Sequence, residues 1–351
     1  MDKNRFASLL LDWYEENKRD LPWRKTKDPY KIWLSEIMLQ QTRVNQGLPY
    51  YKIFLMNFPT VKNLASTPEK TVLRLWQGLG YYSRARNLHR CAKIISSRFN
   101  GKFPDTYEAL LTLPGIGEYT AAAISSMALS RKQAVVDGNV FRVLARIHGI
   151  DLDIGSAVGK KYFFELANSI IPEQKPGLYN QAMMEFGALH CTPRNPNCEE
   201  CIFKNSCAAY STKSQSLFPV KAKPAKRKRR YFNYLVIRHQ KKVWLQERKE
   251  KDIWKGLSEF YLLETKRQLQ DAEIIIRFKE KVKFDIKDIT TKSIRSKQIL
   301  THQEIIAKFF EMKTRNGTLN LENGRFYSAA AVEGIAKSAL ITKYLESMEK
   351  I

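Results

Sequence analysis

The sequence predicts a mostly α-helical region followed by a smaller α/β domain, and three observations lead to this fold class. Over residues 6 to about 210, apolar residues recur at spacings of three and four, the period of an amphipathic helix. Beyond Arg230 the runs 231–238 and 242–247 are rich in β-forming residues and predict a hairpin or sheet. A chain of 351 residues is also longer than one hydrophobic core usually organises, which favours two domains.

Individual helices can be placed from their start signals and their periodicity. Asp28 before Pro29 predicts a capped helix over 29–40. Two further helical runs are predicted over 120–129 and 140–148. Near the end of the chain, the spacing predicts a helix close to 329–343.

The stretch 213–230 has a composition of its own, with two prolines and no acidic residue. Its eight basic residues are Lys213, Lys221, Lys223, Lys226, Arg227, Lys228, Arg229 and Arg230. We predict a solvated linker at 213–230 that also touches phosphates, between domains at 1–212 and 231–351. A nuclear-import signal is the alternative interpretation of the same run.

The charge of the chain points to a polyanionic partner. Lys and Arg number 60 against 35 Asp and Glu, which gives a net charge of +25 and a pI near 9.8. Nucleic acid is the leading candidate, because the alternative, a membrane, is disfavoured by the lack of any run of about eighteen apolar residues. The first residues lack the apolar core of a signal peptide, so we expect a cytoplasmic, nucleoid-associated protein.

Four of the five cysteines lie close together in the chain. They are Cys191, Cys198, Cys201 and Cys207, with the spacing Cys-x6-Cys-x2-Cys-x5-Cys, whereas Cys91 stands alone and is most simply a buried apolar residue. In a chain without an export signal, such a group is typical of metal ligation rather than of disulfides. Four thiolates suit either a structural zinc or a [4Fe–4S] cluster, and residue type alone does not decide between them.

The segment Leu113-Pro114-Gly115-Ile116-Gly117-Glu118-Tyr119-Thr120 places a tight glycine turn directly before a helix. Backbone N–H groups around Gly115 and Gly117 could bind a phosphate at the helix N-terminus. An ordinary glycine turn between two helices is the simpler interpretation of a bare Gly-x-Gly.

Two carboxylates are candidates for chemistry. Asp137 precedes a predicted helix, where it is either an N-cap alone or a carboxylate kept ionised by backbone N–H groups. Glu36 shares an apolar helix face with Ile32 and Leu39, so it has either a buried partner or a raised pKa that suits an acid. The pair suggests glycoside hydrolysis, in which one carboxyl group protonates the leaving group and an ionised one stabilises the sugar cation.

Residues 1 to about 210 resemble the helix-hairpin-helix iron–sulfur DNA glycosylases. The cysteine spacing matches that superfamily throughout, which favours a [4Fe–4S] cluster. Endonuclease III carries a Schiff-base lysine where this chain has Tyr119, and the segment Ser35-Glu36-Ile37-Met38-Leu39-Gln40-Gln41-Thr42 is similar to the adenine DNA glycosylases (the MutY family). Further matches lie at 21–24, 78–84 and 180–182. The resemblance implies a six-helix barrel with a helix-hairpin-helix and an iron–sulfur domain.

The resemblance implies a role for each matching residue. Glu36 would protonate the purine at its position-seven ring nitrogen and later help to activate water. Asp137 would stabilise the anomeric carbon or briefly bond to it. Tyr119 and Asn139 would orient these carboxylates. The implied DNA contacts come from Arg24, Leu39 and Gln181 around the adenine, and from Gln41 and Tyr81 as wedges in the base stack. Core packing is the simpler interpretation of Tyr81.

The C-terminal domain resembles the NUDIX-like domain of that family more loosely, at 243–248 and 254–260. The Arg-Glu-x-x-Glu-Glu core that binds magnesium in a NUDIX hydrolase does not follow Gly256, so the domain is expected to read a base rather than to hydrolyse a nucleotide. Thr301 and His302 stand where the family detects 8-oxoguanine, and Leu300 replaces an aromatic wedge there.

We therefore predict a monomeric, monofunctional glycosylase that removes adenine mispaired with 8-oxoguanine or guanine from double-stranded DNA. Strong lyase activity is not expected, because Tyr119 cannot form a Schiff base. The alternatives are a bifunctional endonuclease III-like pyrimidine-lesion glycosylase and lyase, a non-catalytic duplex-binding protein, and a NUDIX hydrolase. Tyr119 and the extra domain argue against the first, the pair of carboxylates against the second, and the missing acidic motif against the third.

Overall fold

The computed structural model describes residues 2–222, 226–282, 293–314, 321 and 323–348. The chain divides into two compact units, one of residues 1–66 and 87–223 and one of residues 67–86 and 224–351. Lys223 and Pro224 of the predicted linker lie outside the described residues. The linker and the domain boundaries at 212 and 231 stay predictions.

The first unit is built from helices, as the three- and four-residue spacing predicts, and the second unit also contains helices. In chain order the helices are α1 (Lys3–Asn17), α2 (Pro29–Leu39), α3 (Val44–Asn57), α4 (Val61–Ser66), α5 (Glu69–Leu75), α6 (Tyr82–Arg98), α7 (Tyr107–Leu111), α8 (Glu118–Ala123), α9 (Gly138–His148), α10 (Ala157–Ile170), α11 (Pro176–Leu189), α12 (Ala208–Ser211), α13 (Asp271–Val282), α14 (Ala329–Glu333) and α15 (Ala339–Met348). Helices α5, α13, α14 and α15 belong to the second unit, as do the first residues of α6. Among the described residues, no helix has the length and apolar character that crossing a bilayer requires.

Side-chain caps start several helices at the positions where the sequence has Asp or Ser. The Asp28 carboxylate accepts a hydrogen bond from the Tyr30 N–H at 2.9 Å, so α2 begins as predicted and ends one residue before the predicted end. The Ser156 hydroxyl caps α10 in the same way, through the Gly159 N–H at 2.9 Å.

Two other predicted helices differ from the structure at their boundaries. The run predicted over 120–129 begins at Glu118 as α8 and continues as a π-helical segment over Ile124–Ala128. Helix α11 packs on this segment so closely that a Cβ atom at Gly177 would lie 2.5 Å from the Ser126 carbonyl oxygen. The run predicted over 140–148 begins earlier, at Gly138, because Asp137 caps it.

Among the described residues of the first unit, two hydrophobic clusters position the elements around the site. The larger one joins α1, α9, α10 and α11 and includes Phe6, Leu10, Tyr14, Val143, Phe163, Tyr179, Phe186 and Phe203. The smaller one packs Ile32 of α2 against Ala122 and Ala123 of α8. Because Ile32 and Glu36 share a face of α2, the smaller cluster brings Glu36 to α8. Cys91 is fully buried, as predicted.

The second unit is an α/β domain built on one mixed sheet. Its strands are β1 (Lys228–His239), β2 (Lys242–Glu247), β3 (Ser258–Glu259), β4 (Tyr261–Thr265), β5 (Ile294–Ile299), β6 (Gln303–Lys313) and β7 (Gly324–Ser328). They lie in the order β3-β2-β1-β6-β5, with β4 also paired to β1 and β7 to β2. The runs predicted over 231–238 and 242–247 are therefore strands β1 and β2, and the predicted fold class is confirmed.

Strands β1 and β6 run parallel through the centre of the sheet, with Lys228 opposite Gln303. Strands β5 and β6 are antiparallel, and the Leu300 N–H donates to the Gln303 carbonyl at 2.8 Å. This bond leaves Thr301 and His302 as the two residues of a tight hairpin turn. The core under the sheet packs Leu235, Trp244, Phe278 and Phe310 together.

The single helix predicted near 329–343 is two helices in the structure, and the prediction was wrong. Helix α14 ends at Glu333 and α15 begins at Ala339. Between them the Ser258 N–H donates to the Ala336 carbonyl at 2.8 Å, and Ser258 forms a parallel bridge with Lys337. This pairing with β3 competes with helix formation, and helical spacing in the sequence does not report such a long-range partner.

Candidate active site

Glu36 lies on α2 with only 6% of its surface exposed. The Tyr119 hydroxyl donates a hydrogen bond to its Oε2 at 2.6 Å. Burial raises the pKa of Glu36 to about 7, although the bond from Tyr119 opposes this rise. Both alternatives weighed for Glu36 therefore hold, since it has a buried partner and a pKa suited to an acid near neutral pH.

Tyr119 is held on α8, directly after the glycine turn. Gly115 has a φ of +82°, and a Cβ atom there would lie 2.8 Å from the Asn87 Cβ, so this turn requires glycine. Gly117 is the N-cap of α8 and has an ordinary φ of −98°. The turn and the helix start thus fix where the Tyr119 hydroxyl points.

Asp137 caps α9 through one carboxylate oxygen and binds the Asn139 side chain through the other. Its Oδ1 accepts from the Asn139 and Val140 N–H groups, each at 2.8 Å, and its Oδ2 accepts from the Asn139 side-chain amide at 2.8 Å. Burial raises the pKa of Asp137 above its ordinary value, while these three donors favour the ionised form. The capping role and the ionised-carboxylate role are therefore served by the same contacts.

Arg142, which sequence reasoning did not single out, fixes the orientation of Asn139. Its Nη2 donates to the Asn139 Oδ1 at 2.9 Å, which leaves the Asn139 amide N–H to face Asp137. The same guanidinium donates to the Cys191 carbonyl at 2.7 Å and the Gly187 carbonyl at 2.6 Å. Arg142 therefore links the start of α9 to the segment that carries the cysteines.

A cavity of about 680 Å³ brings together most of the catalytic and substrate-binding residues predicted in the first unit. Its lining includes Arg24, Glu36, Leu39, Tyr119, Asp137, Asn139 and Gln181. Cavities of this size hold small organic molecules, so this one can accept a single nucleobase with its sugar.

Arg24 is engaged in a buried ion-pair network on one wall of the cavity. Its two terminal nitrogens each lie 2.7 Å from an oxygen of Glu185, and Arg19 binds the same carboxylate. Burial alone would raise the pKa of Glu185, but hydrogen bonds from Arg24 and Arg19 lower it to about 2. Nearby, the Gln181 Oε1 accepts from the Tyr14 hydroxyl at 3.1 Å.

Leu39 and Gln41, at the end of α2, lie in different environments. Leu39 lines the cavity, whereas Gln41 is exposed and has a φ of 55° in the left-handed region. A non-glycine residue in this conformation is uncommon and often belongs to a functional turn.

Tyr81, Thr301 and His302 lie together in the second unit. Tyr81 is 45% exposed, so its interpretation as a core residue is wrong. Its hydroxyl lies 2.6 Å from the Thr301 Oγ1. All three residues line a cavity of about 510 Å³, and Asp252 and Trp254 also belong to its lining.

The loop that presents Tyr81 is stabilised by two side chains of the same unit. The Trp76 Nε1 and the Arg84 Nη2 donate to the Gly80 carbonyl at 2.9 and 3.2 Å. The Arg84 guanidinium also lies 5.3 Å from the ring centres of Trp76 and Tyr81. Tyr81 itself has a φ of 49°, and these contacts hold it in that uncommon conformation.

The four clustered cysteines surround one small cavity of the first unit. Burial, together with the neighbouring sulfurs, raises the pKa of Cys201 to about 12, so a bound cation is needed to keep this thiol ionised. N–H donors face the sulfurs, with the Arg146 Nη1 at 3.5 Å from Cys191 and the Phe203 N–H at 3.4 Å from Cys201. The site fits a group that binds four thiolates.

Three family models match the chain over these regions. The HhH-GPD superfamily of base excision DNA repair proteins matches residues 34–163, the iron–sulfur binding domain of endonuclease III matches 191–207, and the NUDIX domain matches 233–347. An adenine DNA glycosylase of Buchnera aphidicola subsp. Acyrthosiphon pisum is 36% identical over 335 residues, or 92% of this chain and 94% of that protein. The chain belongs to the adenine DNA glycosylases. The resemblance and the enzyme class predicted from the sequence are confirmed.

Other relatives and solved structures are similar over part of this glycosylase. The human adenine DNA glycosylase is 42% identical over 213 residues, which is 58% of this chain and 39% of the human protein. A thermostable thymine-DNA glycosylase is 32% identical with a TM-score of 0.56, covering 60% of this chain and 97% of its own. Endonuclease III in a non-covalent DNA complex is 20% identical with a TM-score of 0.52, covering 61% of this chain and 98% of its own. This similarity supports the fold of the chain and no more. The predicted DNA partner is confirmed at the level of DNA binding.

The cofactor of this glycosylase is a [4Fe–4S] cluster, as predicted, and the match to the iron–sulfur binding domain decides against zinc. The matched residues 191–207 begin and end on cysteines of the predicted set. When bound, the cluster supplies a rigid cross-link for a segment with little regular secondary structure.

Several residues of the glycosylase site were not identified from the sequence. Glu185, Arg19 and Arg142 are charged side chains that make their main contacts across the fold. Glu185 could have been identified from the sequence, because it is a carboxylate within the apolar run of α11. The same observation, a carboxylate among apolar helix residues, is what identified Glu36.

Proposed function

We propose that this protein removes adenine mispaired with 8-oxoguanine or guanine from duplex DNA by hydrolysing the N-glycosidic bond. The observation that carries the proposal is the pair of carboxyl groups in one cavity, one buried against Tyr119 and the other receiving three N–H donors. These two environments suit an acid and an ionised stabiliser, respectively.

The first step is proton donation by Glu36. A carboxyl group with a pKa of about 7 is largely protonated at slightly acidic pH and remains partly so near neutrality. Glu36 donates this proton to the position-seven nitrogen of adenine. The C1′–N9 bond then breaks, its electron pair stays with N9, and adenine leaves as a neutral base.

The second step is stabilisation of the sugar cation by Asp137. Its carboxylate is held rigidly by Asn139 and Val140, so its negative charge is already in position when positive charge develops at C1′. Asn139, oriented by Arg142, keeps the second oxygen of Asp137 in place.

The final step is the addition of water to C1′. Water forms the new C1′–O bond and gives up a proton to the Glu36 carboxylate, which restores the acid and leaves an abasic site. No covalent imine forms, because Tyr119 offers a hydroxyl hydrogen-bonded to Glu36 where a lyase would need an amine.

Arg24, Leu39 and Gln181 surround the adenine in this proposal. Arg24 is pre-oriented by Glu185, and the Gln181 amide is oriented by Tyr14, which leaves its N–H groups to face the base. Fixed polar groups of this kind select a base by leaving unmatched donors or acceptors when the wrong base enters.

The remaining predicted residues contact the duplex around the flipped base. Exposed Gln41 and Tyr81 act as wedges that offset the cost of unstacking. Backbone N–H groups at Gly115 and Gly117 bind a phosphate. Thr301 and His302 read the base opposite adenine from their hairpin turn.

The same proposal includes the organisation of the protein. The glycosylase region spans 1–212 and the lesion-recognition domain 231–351, and the basic linker 213–230 ends in residues 228–230, which form the start of β1. The protein acts as a monomer on DNA and resides in the cytoplasm with the nucleoid.

The activity is tested by single-turnover cleavage of a duplex with adenine opposite 8-oxoguanine. We expect an abasic product from the wild type, and losses of at least ~100-fold in Glu36→Gln and Asp137→Asn. Glu16→Gln is the matched control, since Glu16 is exposed on α1 and the change is chemically the same.

No product from an iron-loaded wild type that still binds this duplex would reject the adenine substrate. Equal losses in all three variants would instead indicate a general effect of charge removal and would contradict the assigned roles.

Reading of the opposite base is tested by replacing Thr301 and His302 together with alanine. The preference for 8-oxoguanine over guanine should fall while slow cleavage opposite guanine persists, because the catalytic carboxyl groups are unchanged. Equal loss on both substrates would contradict this role of the turn.

A further inference from the structure

Arg230 stands at the start of β1 with its side chain almost entirely covered, at 11% exposure. Its guanidinium makes five hydrogen bonds, to Asp252 at 2.9 and 2.6 Å, to Glu264 at 2.7 and 2.6 Å, and to the Gln303 side chain at 3.0 Å. A guanidinium has five N–H donors, so Arg230 uses all of them within the protein. None is left to contact a phosphate.

The carboxylate of Asp252 is shared with a second arginine. The Arg248 Nη2 donates to its Oδ2 at 2.7 Å, and the Arg248 Nε donates to the Ile253 carbonyl at 2.9 Å. The pKa of Asp252 lies well below its ordinary value, because the bonds from Arg230 and Arg248 outweigh the opposing effect of burial. The loop around Asp252 is thus held in one conformation by two charged anchors.

Two of the partners of Arg230, Asp252 and Gln303, line the cavity beside Tyr81. Gln303 directly follows the turn of Thr301 and His302 in the chain. Because one guanidinium bonds to both residues, Arg230 sets the separation between the Asp252 loop and the turn.

We propose that Arg230 is a positioning residue for selectivity at the opposite base, acting by holding the Thr301–His302 turn and the Asp252 loop at a fixed separation. This inference rests on the proposed function, in which that turn reads the base opposite adenine. A recognition turn is selective only if its atoms are held within a fraction of an ångström, and the supporting contacts decide that precision.

The neighbouring Arg229 provides a contrast within the same strand. Its side chain is 67% exposed and pairs with Glu304, because successive strand residues point to opposite faces. Arg229 and Arg230 carry the same charge and differ in whether they touch the cavity walls. Removing either one therefore changes the net charge equally.

The test compares single-turnover rates on two duplexes, adenine opposite 8-oxoguanine and adenine opposite guanine. The variants are Arg230→Gln, Arg230→Lys, Asp252→Asn and the control Arg229→Gln. The ratio of the two rates is the readout, because a smaller folded fraction or a weaker charge attraction lowers both rates together.

We expect Arg230→Gln to lower the ratio roughly tenfold, since small displacements of positioned groups have effects of this order or larger. Arg230→Lys should lower it less, because an ammonium keeps one ion pair but cannot span three partners. Asp252→Asn should reduce the ratio in the same direction without changing Arg230. A further variant that combines Arg230→Gln with Asp252→Asn should lose less than the two single losses combined, because both changes remove the same contact.

A wild-type ratio in folded Arg230→Gln, or an equal fall in Arg229→Gln, would overturn the inference. If Arg230→Gln does not fold, Arg230→Lys and Asp252→Asn decide the outcome by the same ratio. A wild type without any preference between the two duplexes would overturn the assignment of the turn itself, and this inference with it.

Discussion

At Glu36, burial and a hydrogen bond act on one carboxyl group in opposite directions. Burial favours the protonated form, whereas the Tyr119 hydroxyl stabilises the ionised form at 2.6 Å. The balance leaves the pKa at about 7, where the group can both give and take a proton during one turnover.

Removal of the Tyr119 hydroxyl should change the pH dependence of cleavage. In the wild type the rate should fall as the pH rises through about 7, because Glu36 must be protonated to act as an acid. In Tyr119→Phe the falling limb should move to higher pH, since the bond that lowers the pKa is lost. Single-turnover rates measured between about pH 5 and 9 check this, and an unmoved limb would contradict it.

The raised pKa of Glu36 also has a consequence for stability. The folded-state pKa of about 7 exceeds the ordinary value of 4.5, so the folded form binds the proton more tightly than the unfolded form. The contribution of Glu36 to the free energy of unfolding is fully present below pH 4.5 and is lost as the pH rises through 7.

Glu36→Gln should therefore be more stable than the wild type at pH 8, by up to about 3 kcal/mol, because glutamine resembles the protonated acid. The difference should vanish towards pH 4.5. Thermal unfolding at both pH values measures this, with Glu16→Gln as an exposed control. A variant less stable than the wild type at pH 8 would show that the carboxyl group is not strained by burial.

At the scale of elements, the turn between α7 and α8 depends on one glycine more than on the other. Gly115 has a φ of +82° and no room for a Cβ atom, whereas a Cβ at Gly117 would meet no atom within 4 Å. Both glycines belong to the same Gly-x-Gly motif, and the motif alone does not distinguish their roles.

Gly115→Ala should destabilise the protein by ~1–3 kcal/mol and weaken duplex binding, because the turn must rearrange. Gly117→Ala should cost less than about 1 kcal/mol, the usual difference at an N-cap. Thermal unfolding and duplex affinity compare the two variants. Equal destabilisation by both would contradict the unequal roles assigned to them.

At the scale of the whole molecule, the net charge of +25 governs association with DNA. Some of this charge is used within the fold, since Arg24, Arg142, Arg230 and Arg248 bond to groups of the protein itself. The excess over acidic residues is nevertheless large enough to attract a polyanion over the whole surface.

The affinity for duplex DNA should therefore fall steeply with salt. The slope of log K against log salt should be about −0.9 for each phosphate neutralised, and several phosphates should contribute. An undamaged duplex of the same length should give nearly the same slope, because phosphate contacts carry no sequence information. Equilibrium binding at several salt concentrations measures both, and a flat dependence would contradict an electrostatic origin.

Features that depend on local order along the chain could be predicted from the sequence alone. The spacing of apolar residues predicts the helical region, Asp28 and Asp137 mark two helix starts, and the cysteine spacing indicates the cluster. Glu36 could be singled out because a carboxylate on an apolar helix face is unexpected in any fold.

The pairing of side chains from distant parts of the chain could not be predicted from the sequence. Glu185 meets Arg19 across 166 positions of the chain, and Arg230 meets Gln303 across 73. The split of the last predicted helix at 334–338 has the same origin, in pairing with β3. Periodicity reports whether a residue faces the core, but it contains no information on which distant residue shares its surroundings, because that depends on how the elements pack.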